Sequence, residues 1–156
     1  MTSISIIDIK EEVFLQCLKY VQQRIDTAKM AIASIESASE SETKSSAGDK
    51  FETSREMMKQ EMDRNQQLLF DAQQMLHTLN NLSSETVQPD KIGAGSLVQT
   101  DQSLFYLAVS AGKLTVRGKE VLALSPLAPV GRLLMNKQVG DTITFNGHKY
   151  LIQEIV

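Results

Sequence analysis

Residues 14–35 read FLQCLKYVQQRIDTAKMAIASI. Phe14, Leu18, Val21, Ile25, Ala28, Ile32 and Ile35 recur at alternating steps of four and three. That spacing keeps one apolar stripe on one face of a helix and predicts a coiled-coil seam. No Gly or Pro precedes Gly48, so the spacing predicts a helix over 8–35, roughly 42 Å long at helical rise. A second seam follows in Met58, Met62, Asn65, Leu69, Ala72, Leu76 and Leu79, with Phe51 and Arg55 extending it backwards. It predicts a helix over 51–82, roughly 48 Å long. Asn65 is a polar seam residue of the kind that fixes register. Leu68, Met75 and Leu82 form a second, flanking stripe seven residues apart. Residues 36–50 are rich in Ser, Ala and Glu and read as a solvated connecting tip. An antiparallel hairpin over 1–82 buries both seams without a partner; an intermolecular bundle is the alternative.

Residues 83–90 contain Pro89 and read as a linker. Beyond it the composition changes. Leu97–Thr100, Leu104–Ser110, Leu114–Arg117, Val121–Leu124, Thr142–Phe145 and Tyr150–Ile155 have strand character. Asn146-Gly147 is the strongest hairpin signal. Val130–Met135 reads as a short helix with Pro129 suited to its first turn. The expected fold class is α+β: a helical hairpin, then a small α+β domain over 91–156 that folds alone. Leu104, Val121, Leu133 and Ile143 are its core candidates.

The 156 residues are 42% hydrophobic, enough for one ordinary domain or two small ones and too few for a TIM barrel. No apolar run approaches the ~18–20 residues that span a bilayer, and Met1–Lys10 lacks a signal-peptide pattern. A soluble, cytoplasmic protein is expected. Residues 1–90 carry 9 Lys+Arg against 15 Asp+Glu, and residues 91–156 carry 7 against 4. The acidic first half is a poor general nucleic-acid binder. The weakly basic second half suits an acidic surface.

Catalysis by the chain alone is not expected. The single cysteine, Cys17, excludes an intrachain disulfide and a Cys-rich zinc site. It reads as a half-buried structural thiol beside the seam. A condensing enzyme such as a ketoacyl synthase needs a nucleophilic cysteine in a large α/β scaffold, which this chain does not supply. His77 and His148 stand in no ligand pair or triad and read as surface residues. The lone Gly93-Ala94-Gly95 precedes a strand, not a helix, so it is no dinucleotide loop.

The tip, Gly48-Asp49-Lys50-Phe51-Glu52, places two carboxylates three residues apart at a helix start. Asp49 as N-cap with Glu52 at the third helical position is one reading. The other is a pair of ligands that holds Mg²⁺ loosely and shares it with another active site.

In layout the chain resembles the Gre transcript-cleavage factors of bacterial RNA polymerase. A long helical hairpin precedes a small α+β lobe. The tip is similar to the family's Gly-Asp-x-x-Glu. Residues 129–141, PVGRLLMNKQVGD, are similar to the family's Pro-Leu-Gly/Ala-Arg-Ala-Leu-Leu-Gly-Lys-Lys-Val-Gly-Asp. Together these span most of the chain.

The resemblance implies an FKBP-like second lobe without prolyl isomerase activity. That lobe docks at the rim of the polymerase's secondary channel, with Pro129, Gly131 and Arg132 as partner-binding residues. It implies that Asp49 and Glu52 act in trans, helping to hold a second Mg²⁺ and orient a water. The polymerase then hydrolyses the 3′ end of a backtracked RNA. It further implies a monomer. Three departures stand out: Glu52 is followed by Thr53-Ser54-Arg55 where the family has Asn and small or acidic residues, the segment before Gly48 is longer, and Leu127-Ala128-Pro129 stands where the family has Ser-Pro before the short helix, with Ser125-Pro126 three residues earlier. A secondary-channel regulator without cleavage stimulation, and a coiled-coil interaction protein unrelated to transcription, are the alternatives.

Overall fold

The structure is a computed structural model that describes residues 5–43, 48–82 and 90–156. Residues 44–47 of the expected tip and 83–89 of the expected linker lie outside the described residues.

Two long helices come first, α1 (Ile6–Thr43) and α2 (Gly48–Leu82). Helix α1 runs eight residues past the expected end at Ile35, because Ser, Ala and Glu in 36–43 contain no Gly or Pro to stop it. Most of the expected connecting tip is therefore helical. Six strands and one short helix follow: β1 (Leu97–Thr100), β2 (Leu104–Leu107), β3 (Gly112–Val116), β4 (Lys119–Leu124), α3 (Pro129–Leu134), β5 (Thr142–Phe145) and β6 (His148–Ile155). The class is α+β, as the sequence predicts.

The strands form one mixed sheet in the order β3-β4-β2-β1-β6-β5. Strands β2 and β4 are parallel, and every other pairing is antiparallel. The β5–β6 hairpin turns at Asn146-Gly147, both with positive φ, 52° and 78°, as a two-residue hairpin turn requires. Pairing resumes at once with Phe145 opposite His148, so β6 begins two residues before Tyr150. The β3–β4 hairpin turns in the same way at Arg117-Gly118.

Contacts divide the chain into two compact units, Met1–Tyr20 with His77–Val156, and Val21–Leu76. In the first unit both faces of the sheet are covered. On one face, Val98, Phe105, Leu107, Leu124, Ile143 and Ile152 form a core with Leu134 of α3. Side chains alternate along a strand, so Leu104, Tyr106, Val121 and Ala123 point to the other face, and all four are buried. The first turns of α1 cover this second face. Ile6, Ile9, Val13 and Cys17 are buried there. Alongside them Asp8, Glu12 and Gln16 form a polar rail one helical turn apart. Gln16 Nε2 donates to the Thr115 carbonyl at 2.9 Å. Arg117 Nε donates to Glu12 at 2.6 Å, with Asp8 3.9 Å away.

Helix α1 thus carries two stripes. The expected seam residues Phe14 and Leu18 are only half-buried, and their neighbours Val13 and Cys17 are fully buried. Of the core candidates, Leu104, Val121 and Ile143 are buried, but Leu133 is 38% exposed; its neighbour Leu134 takes the inward position.

In the second unit, Val21, Ile25 and Ala28 of α1 and Asn65 and Ala72 of α2 are buried. Asn65 Nδ2 donates to the Glu61 carbonyl on its own helix at 2.8 Å. Leu68 of the flanking stripe is 42% exposed. Among the described residues, no helix is long and apolar enough to cross a membrane.

Candidate functional site

The two regions that the sequence singles out lie on different units. The first is the beginning of α2. The helix starts at Gly48, so the backbone at Asp49 belongs to its first turn and does not precede it. The side chain of Asp49 lies outside the described residues. Glu52 is exposed. It lines a cleft of about 1110 Å³ between residues 35–40 of α1 and 52–62 of α2. Late residues of α1 thus face early residues of α2, the antiparallel arrangement that the two seams predict. Ile35, Met58 and Met62 line this cleft half-buried. Carboxylates stand on both sides of it, Glu36 and Glu40 on α1, Glu52 and Glu56 on α2.

Among the described residues, no group of three or more His, Cys, Asp or Glu stands close enough to hold a metal ion. Of the two tip carboxylates, the one whose side chain is described, Glu52, is exposed, and a Mg²⁺ ion would need further ligands. Carboxylate oxygens suit the ion, and two of them leave most of its octahedral shell to water or to another molecule.

The second region is α3 and its flanks. Ala128 is its N-cap residue, with no side-chain cap, and Pro129 opens the helix, where its missing N–H costs nothing. Pro129 and Arg132 are exposed, on the outer side of α3. Gly131 is buried. A Cβ there would overlap the Ser125 carbonyl oxygen and lie 3.0 Å from the Pro126 backbone. Gly131 therefore lets α3 lie flat on the Ser125-Pro126 strand exit. It shapes the surface that Pro129 and Arg132 present without offering a side chain of its own. Leu127, 74% exposed, and Leu133 make that surface partly apolar.

Other candidates resolve simply. His77 and His148 are both exposed, and His77 Nε2 pairs with Asn81 Nδ2 at 3.3 Å. Cys17 is 0% exposed rather than half-buried, and burial pushes its thiol up to about 11. A protonated, covered thiol is a packing residue and not a nucleophile. Tyr106 on the facing sheet is shifted upward too, first by burial and then by Cys17.

Sequence reading missed two features. One is the clasp between Arg117 and Glu12, whose hydrogen bond and charge, with Asp8, raise the guanidinium further. The partners are 105 residues apart, and no local pattern links them. The other is the cleft itself. Its carboxylates follow an i, i+4 pattern on each helix; Glu36 and Glu40 fall in the segment read as a solvated connector, and Glu52 and Glu56 at the start of the second expected helix. No family model matches the chain, and no curated protein matches it.

Proposed function

We propose that this protein is a Gre-like transcription factor that binds RNA polymerase at the secondary channel and stimulates cleavage of backtracked RNA. The observation that carries this reading is the order of parts. An antiparallel helical hairpin, with Asp49 and Glu52 in the first turns of α2, precedes a mixed sheet that carries α3 and the 129–141 segment. A six-stranded sheet with one short helix against it supports an FKBP-like lobe.

In this reading the lobe docks through Pro129 and Arg132, on a platform that Gly131 keeps flat. Asp49 and Glu52 then offer two carboxylates to a metal shared with the polymerase. Bound there, such a metal would supply Lewis-acid chemistry for phosphodiester hydrolysis. The carboxylates' part would be to bring negative charge to that metal and to accept a hydrogen bond from a water, orienting it. The protein contributes no complete active site. Its hairpin carries the ligands and the polymerase supplies the rest.

The test is a pull-down against core bacterial RNA polymerase, then a cleavage assay on stalled elongation complexes. The double variant Asp49→Asn, Glu52→Gln keeps side chains of the same size in the first turns of α2 but removes both charges. It should bind polymerase and fail to stimulate cleavage. Arg132→Glu should weaken binding while the lobe stays folded. Cleavage by the double variant at the parent's rate would reduce the carboxylates to surface charges at the start of α2. The Thr53-Ser54-Arg55 continuation of the tip favours a second reading, a channel-occupying regulator. Tight binding by the parent without any stimulation would select it.

A further inference from the structure

The cleft near the far end of the hairpin has an apolar floor and a charged rim. Its floor is Ile35, Met58 and Met62, all half-buried. Methionine is unbranched and polarizable, and it suits surfaces that must accept varied apolar side chains. At about 1110 Å³ the cleft exceeds a typical small-molecule pocket of roughly 300–1,000 Å³. It has room for several side chains of a docked segment.

The rim carries sign information. Glu36 and Glu40 stand one turn apart on α1, and Glu52 and Glu56 one turn apart on α2, with Arg55 and Lys59 as the opposing charges. Among the described residues the rim is therefore net negative, by four carboxylates against two cations. Among the described residues, none of Glu36, Glu52 and Glu56 is in an ion pair.

We infer that this cleft is a docking groove for a basic, amphipathic helical segment of a partner protein. Residues four apart on a helix are neighbours about 5–6 Å apart. Lysines or arginines at that spacing on a docked helix match the Glu52 and Glu56 pair, with a further cation opposite Glu36, and its apolar face meets the methionines. A nucleic-acid backbone meets a repulsive rim. A second copy of this hairpin brings the same net negative rim and is disfavoured in the same way. The inference does not depend on the polymerase reading, and its test contains no polymerase.

The probe is a synthetic amphipathic peptide of about 18 residues, with leucines at helical spacing, lysines elsewhere and one tryptophan. The full chain has no tryptophan, so the peptide's fluorescence is read without background. Counterparts carry glutamine or glutamate in place of lysine. The lysine peptide should bind the unmodified chain with a blue shift and weaken as salt rises. The glutamine peptide should bind more weakly, and the glutamate peptide should not bind.

The triple variant Glu36→Gln, Glu40→Gln, Glu56→Gln leaves Asp49 and Glu52 intact and should weaken the lysine peptide about tenfold, with helix content unchanged by circular dichroism. Met58→Ser with Met62→Ser should abolish the blue shift. The inference is overturned if the lysine peptide does not bind, or if the glutamate peptide binds as well. It is equally overturned if sedimentation finds a dimer of the free chain that the Met58 and Met62 changes dissolve, which assigns the cleft to a second copy. The peptide series on the unmodified chain decides the matter even if the triple variant unfolds.

Discussion

Leu134 and Ile35 are both aliphatic residues on the inward side of a helix. Leu134 is 0% exposed, closed between α3 and the sheet. Ile35 is half-buried at the edge of the hairpin cleft. The difference follows from the number of layers. In the sheet-bearing unit each face of the sheet has its own cover, α3 on one side and the first turns of α1 on the other. A central strand such as β2 is then buried at all four positions. In Val21–Leu76 two helices share one seam, and the seam residues keep an open side unless a third element covers them. Burial is deepest at Val21 and Ala72, both 0% exposed. Towards the tip it fades through Ile32, Ile35, Met58 and Met62, which are only half-buried. One unit is organised for packing, and the other keeps apolar surface available.

Several experiments bear on this contrast. The largest effect is expected from removing the cover that α1 supplies. A fragment from Lys91 to Val156 keeps α3 and its core but exposes Tyr106, Val116 and Val121, each at most 2% exposed in the chain. Against the sequence expectation that residues 91–156 fold alone, it should show poor amide dispersion and a broad, weakly cooperative melt, because Met1–Tyr20 belongs to the same compact unit. A well-dispersed spectrum would mean that the second face needs no helix, and the two-cover account would fail.

A paired substitution comes next. Leu134→Ala should cost about 2–5 kcal/mol, the usual range for emptying a closed core site. Ile35→Ala should cost about 1 kcal/mol or less, because much of its surface is already wet. Urea denaturation midpoints compare the two. Equal losses would show that the hairpin is packed as tightly as the sheet unit.

The smallest effect is a pH dependence. The Cys17 thiol is raised from 9.0 to about 11 in the folded chain. The neutral form is the one the fold favours, so this contribution is fully present below pH 9.0 and is lost as pH rises through about 11. Tyr106 is shifted in the same direction and adds to the loss at the alkaline end. Thermal midpoints should therefore fall across that window, and Cys17→Ala should flatten the first part of the decline. An unchanged slope in that variant would assign the alkaline loss to Tyr106 and other groups.

The hairpin and the α+β lobe were legible because their signals are local. The four–three spacing from Phe14 to Ile35 requires a helix with one apolar face. Asn146-Gly147 fixes a two-residue turn, and β1 and β5 fall at the residues their alternation predicts. Pro129 opens α3, as its fixed φ and missing N–H suggest. At the candidate site, the sequence alone supplied Glu52 and the surface positions Pro129 and Arg132. It could not assign Gly131 its packing role, because the atom it must avoid is the Ser125 carbonyl oxygen, brought close only when α3 folds back on the strand exit.

What the tertiary structure decided is which of two neighbouring stripes on α1 meets which surface. Periodicity reports that Val13 and Cys17 share one face and Phe14 and Leu18 another. It does not report what lies opposite either face. The sheet takes Val13 and Cys17, and with them the clasp from Glu12 to Arg117. The same limit governs the cleft. Glu36, Glu40, Glu52 and Glu56 are four separate surface charges in sequence, and they become one rim only because an antiparallel hairpin brings the end of α1 beside the start of α2.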